Sequence, residues 1–382
     1  MQDSADRAFA SASSSRRGTD EMRAVRKPAP HVLDLVSYDP KYIPAEVMVS
    51  ANENPRDVPD GLRAMVMRAV RQVPLNRYPD PLANGLRDLI AQANGLDRDQ
   101  VLIGNGGDEL LLDTALAWGG PGRVFLNVPP TFSVYEGNAL LTNTAVVEVP
   151  RRADFQVDED ALVARLSRGD VDFTILTSPN NPTGDTVSES FVRRVLEASD
   201  ALVVVDEAYF EFSRKTVRPL LESYENLVIL RTFSKAFSLA GVRVGYLLGN
   251  VRVLSEYKKV RQPYSVDAIS QAIASAVYEN RSEFVFGIEQ IVAERERVYR
   301  QLKRMDGVEA FPSESNFILL RMADASAVWS GLLSCGVLVR DFSRTRYLEN
   351  CLRVSIGTPQ ENDRFLEVLG DIVASGKSDG KR

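Results

Sequence analysis

From about residue 60 the chain alternates helical stretches with short apolar runs rich in β-branched residues, and this alternation is its strongest constraint. Helices layered on a largely parallel sheet read this way, because strands covered on both faces lose the polar alternation of a half-exposed strand. The fold class is therefore α/β. The expected strands of a first, larger domain are Val101–Ile103, Val124–Val128, Ala145–Val149, Phe173–Thr177, Leu202–Val205, Leu227–Leu230 and Val244–Leu248. Helical stretches near Val266–Glu279 and Ser282–Met305 follow. Then Phe317–Leu320, Val337–Val339 and Leu352–Ser355 alternate with helices in a smaller domain. A length of 382 residues exceeds the size at which one core usually stops growing, which agrees with two domains. The expected boundaries are a disordered arm over 1–28, an arm with part of the small domain over 29–58, the large domain over 59–285, the small domain over 286–375 and a disordered tail over 376–382. The arm assignment rests on small and polar residues without apolar periodicity, as in Ser11–Arg17.

Composition removes several chemistries. A net charge of −6 leaves no diffuse basic footprint for nucleic acid, and no apolar run reaches membrane-spanning length. Two cysteines, Cys335 and Cys351, cannot make a disulfide framework or a four-thiolate metal site, so a reducing cytoplasm is the expected compartment. With His31 the only histidine, histidine-based triads and multi-histidine metal sites are nearly excluded. Lysine and carboxylate chemistry remains.

Ligands of open α/β sheets collect outside the carboxyl ends of strands, so the polar residues after each apolar run are the candidates. Gly104-Asn105-Gly106-Gly107-Asp108-Glu109 follows the first run and precedes a helical Leu110–Trp118. It reads either as a phosphate loop with Asp108 capping the helix or as a plain glycine turn. Ser178 to Gly184 is a turn on local grounds. Leu202–Val205 ends in Asp206-Glu207-Ala208-Tyr209, a carboxylate and a phenol at the ligand edge. An acid in this position also serves P-loop nucleoside triphosphatases, but their G-x-x-x-x-G-K-[ST] loop is missing, and the Gly104 loop does not match the dinucleotide fingerprint G-x-G-x-x-G. The last strand end runs Arg231-Thr232-Phe233-Ser234-Lys235 through Arg243. Lys235 sits among small and aromatic residues, whereas most other lysines lie in polar or terminal stretches. Burial favours a neutral amine, which attacks aldehydes, and Thr232, Ser234 and Arg243 suit a phosphate. Taken alone, Lys235 also reads as a snorkelling surface lysine.

Pyridoxal phosphate needs an amine for its aldehyde, a carboxylate to retain the proton on its ring nitrogen, and a site for a dianionic phosphate. The four strand ends supply all three. Together with Asn52-Glu53-Asn54-Pro55, Asn76-Arg77-Tyr78-Pro79, Pro130-Thr131-Phe132, Asn181-Pro182-Thr183-Gly184 and Cys351-Leu352-Arg353, in this order, the sequence resembles the fold-type-I aminotransferases over residues 30–372, in the branch that contains histidinol-phosphate aminotransferase. The resemblance implies a mostly parallel seven-stranded sheet flanked by helices, a smaller α/β domain, and pyridoxal 5′-phosphate held as a Schiff base on Lys235. It implies that Asp206 pairs with the ring nitrogen and that Asn181 and Tyr209 hydrogen-bond the ring oxygen. Thr232, Ser234, Arg243 and the backbone around Gly107 and Asp108 are implied to hold the phosphate. Phe132 is the implied ring-stacking aromatic, with Tyr135 assigned to packing.

By the same resemblance Tyr78 reaches the partner's cofactor phosphate in a homodimer with shared sites. Arg353 is implied to grip the substrate carboxylate, and Arg340 and Tyr38 to flank a substrate phosphate. The amino donor so implied is histidinol phosphate, with 2-oxoglutarate as acceptor, which is a step of histidine biosynthesis. Before the resemblance is applied, both arginines also read as members of surface ion pairs. The rival readings are an aromatic amino acid aminotransferase, a decarboxylase of a phosphorylated amino acid and, from another class, a cofactor-free binding or regulatory protein.

Overall fold

A computed structural model describes residues 25–33, 35 and 43–379, the last four as backbone only. Residues 1–36 and 37–382 form separate compact units, and the described part of the first contains one helical turn, Pro30–Leu33. The second unit opens with a short strand, β1 (Val47–Met48), and then builds the main sheet from β2 (Val101–Asn105), β3 (Val124–Asn127), β4 (Ala145–Glu148), β5 (Phe173–Thr177), β6 (Leu202–Asp206), β7 (Leu227–Thr232) and β8 (Val244–Gly249). Their spatial order is β2-β8-β7-β6-β5-β3-β4. Strand β8 alone runs against its neighbours, and the pairs from β7 to β4 are parallel. All seven expected strands are present.

Every residue of β5, β6 and β7 is buried, as the unbroken apolar runs require of strands covered on both sides. Alternate residues serve different cores: Val203 and Val205 join one cluster, while Leu202 and Val204 join the other. Covering helices start where short polar side chains accept the free N–H groups of the first turn, as Ser188 does for Glu189–Ala198 and Asp267 for Ala268–Glu279. The expected long helix after Ser282 begins as a short 3₁₀ turn, Arg281–Phe284, and continues as an α-helix over Val285–Leu302.

The later strands are β9 (Glu309–Ala310), β10 (Phe317–Arg321), β11 (Val337–Leu338), β12 (Arg340–Asp341) and β13 (Cys351–Ser355). Four form an antiparallel sheet in the order β12-β13-β10-β9. The expected strand Val337–Val339 is split. Val337 and Leu338 pair in parallel with Val47 and Met48, and the chain then moves over, so that Arg340 faces Arg353 in register. The last helix runs over Pro359–Asp379. No helix of the described residues is long and apolar enough to cross a membrane.

Candidate active site

After β3 the chain steps outward to β4 and then returns to place β5 on the other side of β3. The loops leaving β3 and β5 therefore diverge, and such a switch point opens a crevice at the carboxyl edge. A cleft of about 670 Å³ lies at this edge, with Lys235, Asp206, Tyr209, Arg243, Arg340 and Arg353 among its lining residues.

The glycine loop forms one end of this cleft. A Cβ on Gly245 of β8 would lie 2.7 Å from the carbonyl carbon of Gly106, and one on Gly106, which has φ +71°, would lie 2.6 Å from the Arg243 guanidinium. Only glycines allow the turn to rest directly on β8 with the guanidinium against it. The helix starts at Gly106, four residues earlier than expected, because the positive-φ glycine completes the turn. Asp108 is accordingly not the cap. It lies in the first turn, and its carboxylate accepts from Arg243 Nη2 at 2.7 Å. First-turn N–H groups have no acceptor within their helix, so they and the guanidinium make an anion cradle. Thr232 and Ser234 extend it: Thr232 Oγ1 donates to Ser234 Oγ at 3.0 Å.

Asp206 ends β6 and is buried. Its Oδ1 accepts the Ala208 N–H at 3.0 Å, and its Oδ2 accepts the Tyr135 hydroxyl at 2.7 Å. Burial pushes the carboxyl up to about 6, against the lowering effect of those two donors. Tyr135 is thus more than packing. Since its proton goes to Asp206, its oxygen accepts from Thr177 at 2.7 Å, making a relay from Thr177 through Tyr135 to the carboxylate. In the sequence only its place marks it: Tyr135 follows Phe132 by three residues, at the start of the helix Val134–Leu141, and the rings meet edge-on at 5.6 Å.

Lys235 Nζ donates to the Ala51 carbonyl at 3.0 Å. Burial, and then the positive charge of Arg353, lower its amine to about 8, so its neutral form is far more populated near neutral pH than that of an ordinary exposed lysine. Arg353 lies within β13 and is buried, not a surface ion-pair member. It donates to Asn181 Oδ1 through Nη1 and to the Ser50 carbonyl through Nη2 at 2.7 Å. Tyr209 is buried and accepts from Asn52 Nδ2 at 2.9 Å. Asn52 and the carbonyls of Ser50 and Ala51 received no individual role from sequence, although the Asn-Glu-Asn-Pro motif marks the place.

Arg340 lies on the same side of the cleft as Arg353, its guanidinium 5.8 Å from the Phe342 ring centroid. Phe132, Asn181, Gly107 and Asp108 also line the cleft. Tyr78 does not: it is 82% exposed and stacks on Tyr264 at 4.7 Å. Tyr38 falls outside the described residues.

Residues 31–369 match the model of the family described as aminotransferase class I and II. The chain is 41% identical over 328 residues to histidinol-phosphate aminotransferase of Chlorobaculum tepidum, covering 85% of this chain and 94% of that protein. It is equally 41% identical over 342 residues to histidinol-phosphate aminotransferase 1 of Carboxydothermus hydrogenoformans, covering 89% and 96%. Histidinol-phosphate aminotransferase from Sinorhizobium meliloti, solved in complex with pyridoxal-5′-phosphate, shares the fold with a TM-score of 0.82 at 24% identity, covering 93% of this chain and 99% of that one. A match over nearly the whole chain, on a fold whose cleft contains a lysine, a buried carboxylate and an anion cradle, gives one conclusion: the chain belongs to the aminotransferase class I and II family.

Proposed function

We propose that this enzyme transfers the amino group of histidinol phosphate to 2-oxoglutarate, giving imidazole acetol phosphate and glutamate. Its cofactor is pyridoxal 5′-phosphate. The observation that carries the donor assignment is the placing of Arg340 opposite Arg353, in register on β12 and β13, in the cleft that contains Lys235. A phosphomonoester brings nearly two negative charges, and two guanidiniums suit it better than a lone carboxylate. The relatives named above, each called histidinol-phosphate aminotransferase, support the same reading.

The residues fit the cofactor. The Gly106–Gly245 contact leaves the cradle free of side-chain carbon, Asp206 offers a fixed carboxylate, and Lys235 offers an amine of lowered basicity. When bound, pyridoxal phosphate supplies an electron-withdrawing ring that stabilises negative charge at the substrate Cα. Arg243, Thr232, Ser234 and the N–H groups at Gly107 and Asp108 hold the phosphate. Asp206 retains the ring-nitrogen proton by its charge, Asn181 and Tyr209 bond the ring oxygen, and Phe132 covers the ring face. Lys235 Nζ is the amine that would hold the cofactor through its aldehyde group and, when released, would serve as the base that takes and returns the proton at the substrate Cα. Arg353 serves the glutamate carboxylate and the histidinol phosphate phosphoryl group in alternate half-reactions, with Arg340 adding contact to the phosphate.

Glutamate formation from 2-oxoglutarate with histidinol phosphate, phenylalanine or tyrosine as donor tests the reading. The highest specificity constant is expected for histidinol phosphate, and a preference for an aromatic donor overturns the assignment.

The same reading places Tyr78 in the partner's site of a homodimer and divides the second unit into a large domain over 59–285 and a small domain over 286–375 completed by part of 29–58. Exposed Tyr78 and Tyr264, whose rings stack on each other, give that partner an aromatic surface to pack on. Mixing Lys235→Ala and Tyr78→Ala chains should restore part of the activity, since each hybrid dimer has one unmutated site. A fully active monomer in sedimentation rules this out.

A further inference from the structure

The segment Ser50–Asn54 is tied to β13 of the antiparallel sheet and to residues just beyond β6 and β7 of the main sheet. The Ser50 carbonyl accepts from Arg353 and the Ala51 carbonyl from Lys235, and Asn54 Nδ2 donates to the Ala236 carbonyl at 3.1 Å. Asn52, at its centre, is buried in the left-handed region at φ +55°. Its backbone N–H donates to Ser355 Oγ at 2.8 Å, and its carbonyl accepts from Asn316 Nδ2 at 3.0 Å. Its side-chain oxygen accepts from Ser355 Oγ at 2.9 Å, and its Nδ2 donates to the Tyr209 hydroxyl at 2.9 Å.

The network fixes which way this amide faces. Ser355 Oγ already accepts the Asn52 N–H, so its own proton needs an acceptor in a buried place, and the Asn52 amide oxygen is that acceptor. Turning the amide over would face Nδ2 to Ser355 and strand the serine proton. With Nδ2 held against Tyr209, the phenol oxygen accepts there, and the phenol's own proton is free to point into the cleft.

We propose that Asn52 is a positioning residue for the reaction, whose amide makes the Tyr209 hydroxyl a fixed donor toward the ring oxygen of the cofactor. This rests on the role of Tyr209 given above. Aspartate has no proton to give at this position, and left-handed backbone tolerates asparagine, aspartate or glycine far better than larger side chains.

Asn52→Asp keeps shape and backbone while exchanging a donor for an acceptor, so the Tyr209 proton turns away from the cleft. The test uses cofactor-loaded wild type, Asn52→Asp, Tyr209→Phe and the double variant. It reads the dissociation constant of pyridoxal phosphate and the pH midpoint of the visible absorbance change of the cofactor held on Lys235. Lys235 faces Arg353, Glu53, Asp108 and Arg243, and these charges are constant across the set. A ring oxygen with one donor fewer, Asn181 alone remaining, leaves the neighbouring nitrogen more basic. Asn52→Asp should therefore raise the midpoint and weaken cofactor binding roughly three- to tenfold. The new carboxylate adds a shift of its own, which persists in the Tyr209→Phe background; the part that vanishes there belongs to the proposed contact. Equal shifts in both backgrounds, or none, overturn the proposal.

If Asn52→Asp does not fold, Asn52→Gly keeps the left-handed backbone, removes the donor and adds no charge. It should give a smaller shift of the same sign, and wild-type values there overturn the proposal. If Tyr209→Phe alone changes neither readout, the role of Tyr209 fails and the proposal fails with it.

Discussion

On the strand-end wall of the cleft, Asp206, Thr232, Ser234 and Lys235 lie at the ends of β6 and β7 or within three residues beyond them, whereas the facing wall is tied together by contacts that span up to 303 residues. The difference sets what each wall can do. A strand buried on both faces aims its terminal residue with the rigidity of the sheet, which suits groups that must hold one cofactor in one pose. Arg353 and Arg340 belong to a separate antiparallel sheet and reach the cleft from the other side, which suits groups that discriminate between substrates.

The largest expected effect breaks the first wall. Lys235→Ala should leave the fold intact, because among the described residues the side chain's hydrogen bond is to the Ala51 carbonyl, and it should remove transamination. Loss of a proton-transfer group alone costs about 10²–10⁴-fold, and here the covalent anchor goes with it. Activity assays beside a thermal melt check both halves. Wild-type turnover, with borohydride fixing the cofactor on another lysine, would remove Lys235 from its role.

The contrast between the walls also explains what the sequence made legible. Lys235 and Asp206 stand at the ends of apolar runs, so hydrophobic patterning and strand-end logic find them without a partner being known. The seven strands were legible for the same reason, since buried parallel strands leave unbroken β-branched runs. Tyr135 is core, as expected, but its bond to Asp206 is not legible in the sequence, because that partner is 71 residues away and an aromatic on a helix is ordinarily core. Asn52 stands out in the sequence only as part of a motif, since its role depends on Ser355 and Tyr209. The split of Val337–Val339 came from a partner strand of two residues, too short to carry a periodic signal.

A middle-sized effect separates the walls by substrate. Arg340→Ala should lower the specificity constant for histidinol phosphate by roughly ten- to a hundredfold, the range of one charge-assisted contact worth about 1.5–3 kcal/mol. Turnover of an aromatic donor, which has no phosphate, should change little. Parallel kinetics with both donors check this, and equal losses would make Arg340 a structural residue.

The smallest effect sharpens the comparison from inside the first wall. Tyr135→Phe removes one donor from a buried carboxylate and leaves Asp206 the Ala208 N–H. Turnover should fall only about two- to tenfold, because the carboxylate itself remains. The pH dependence is the sharper readout. The folded carboxyl of Asp206 is already raised, to about 6, so the folded state binds its proton more tightly than the unfolded chain. Ionising this buried group therefore costs stability, and the cost is absent below the ordinary carboxylate range and complete above about 6. Taking away the Tyr135 proton raises the carboxyl further. The melting temperature of cofactor-free Tyr135→Phe should thus fall behind wild type by more as pH rises through 6, with the gap narrowing near pH 4, where Asp206 is protonated in both proteins. In the loaded enzyme the acid limb of kcat/KM should move to higher pH, since a more basic carboxyl loses its charge sooner on acidification. A melting difference that is constant from pH 4 to 8, with an unmoved acid limb, would return Tyr135 to packing.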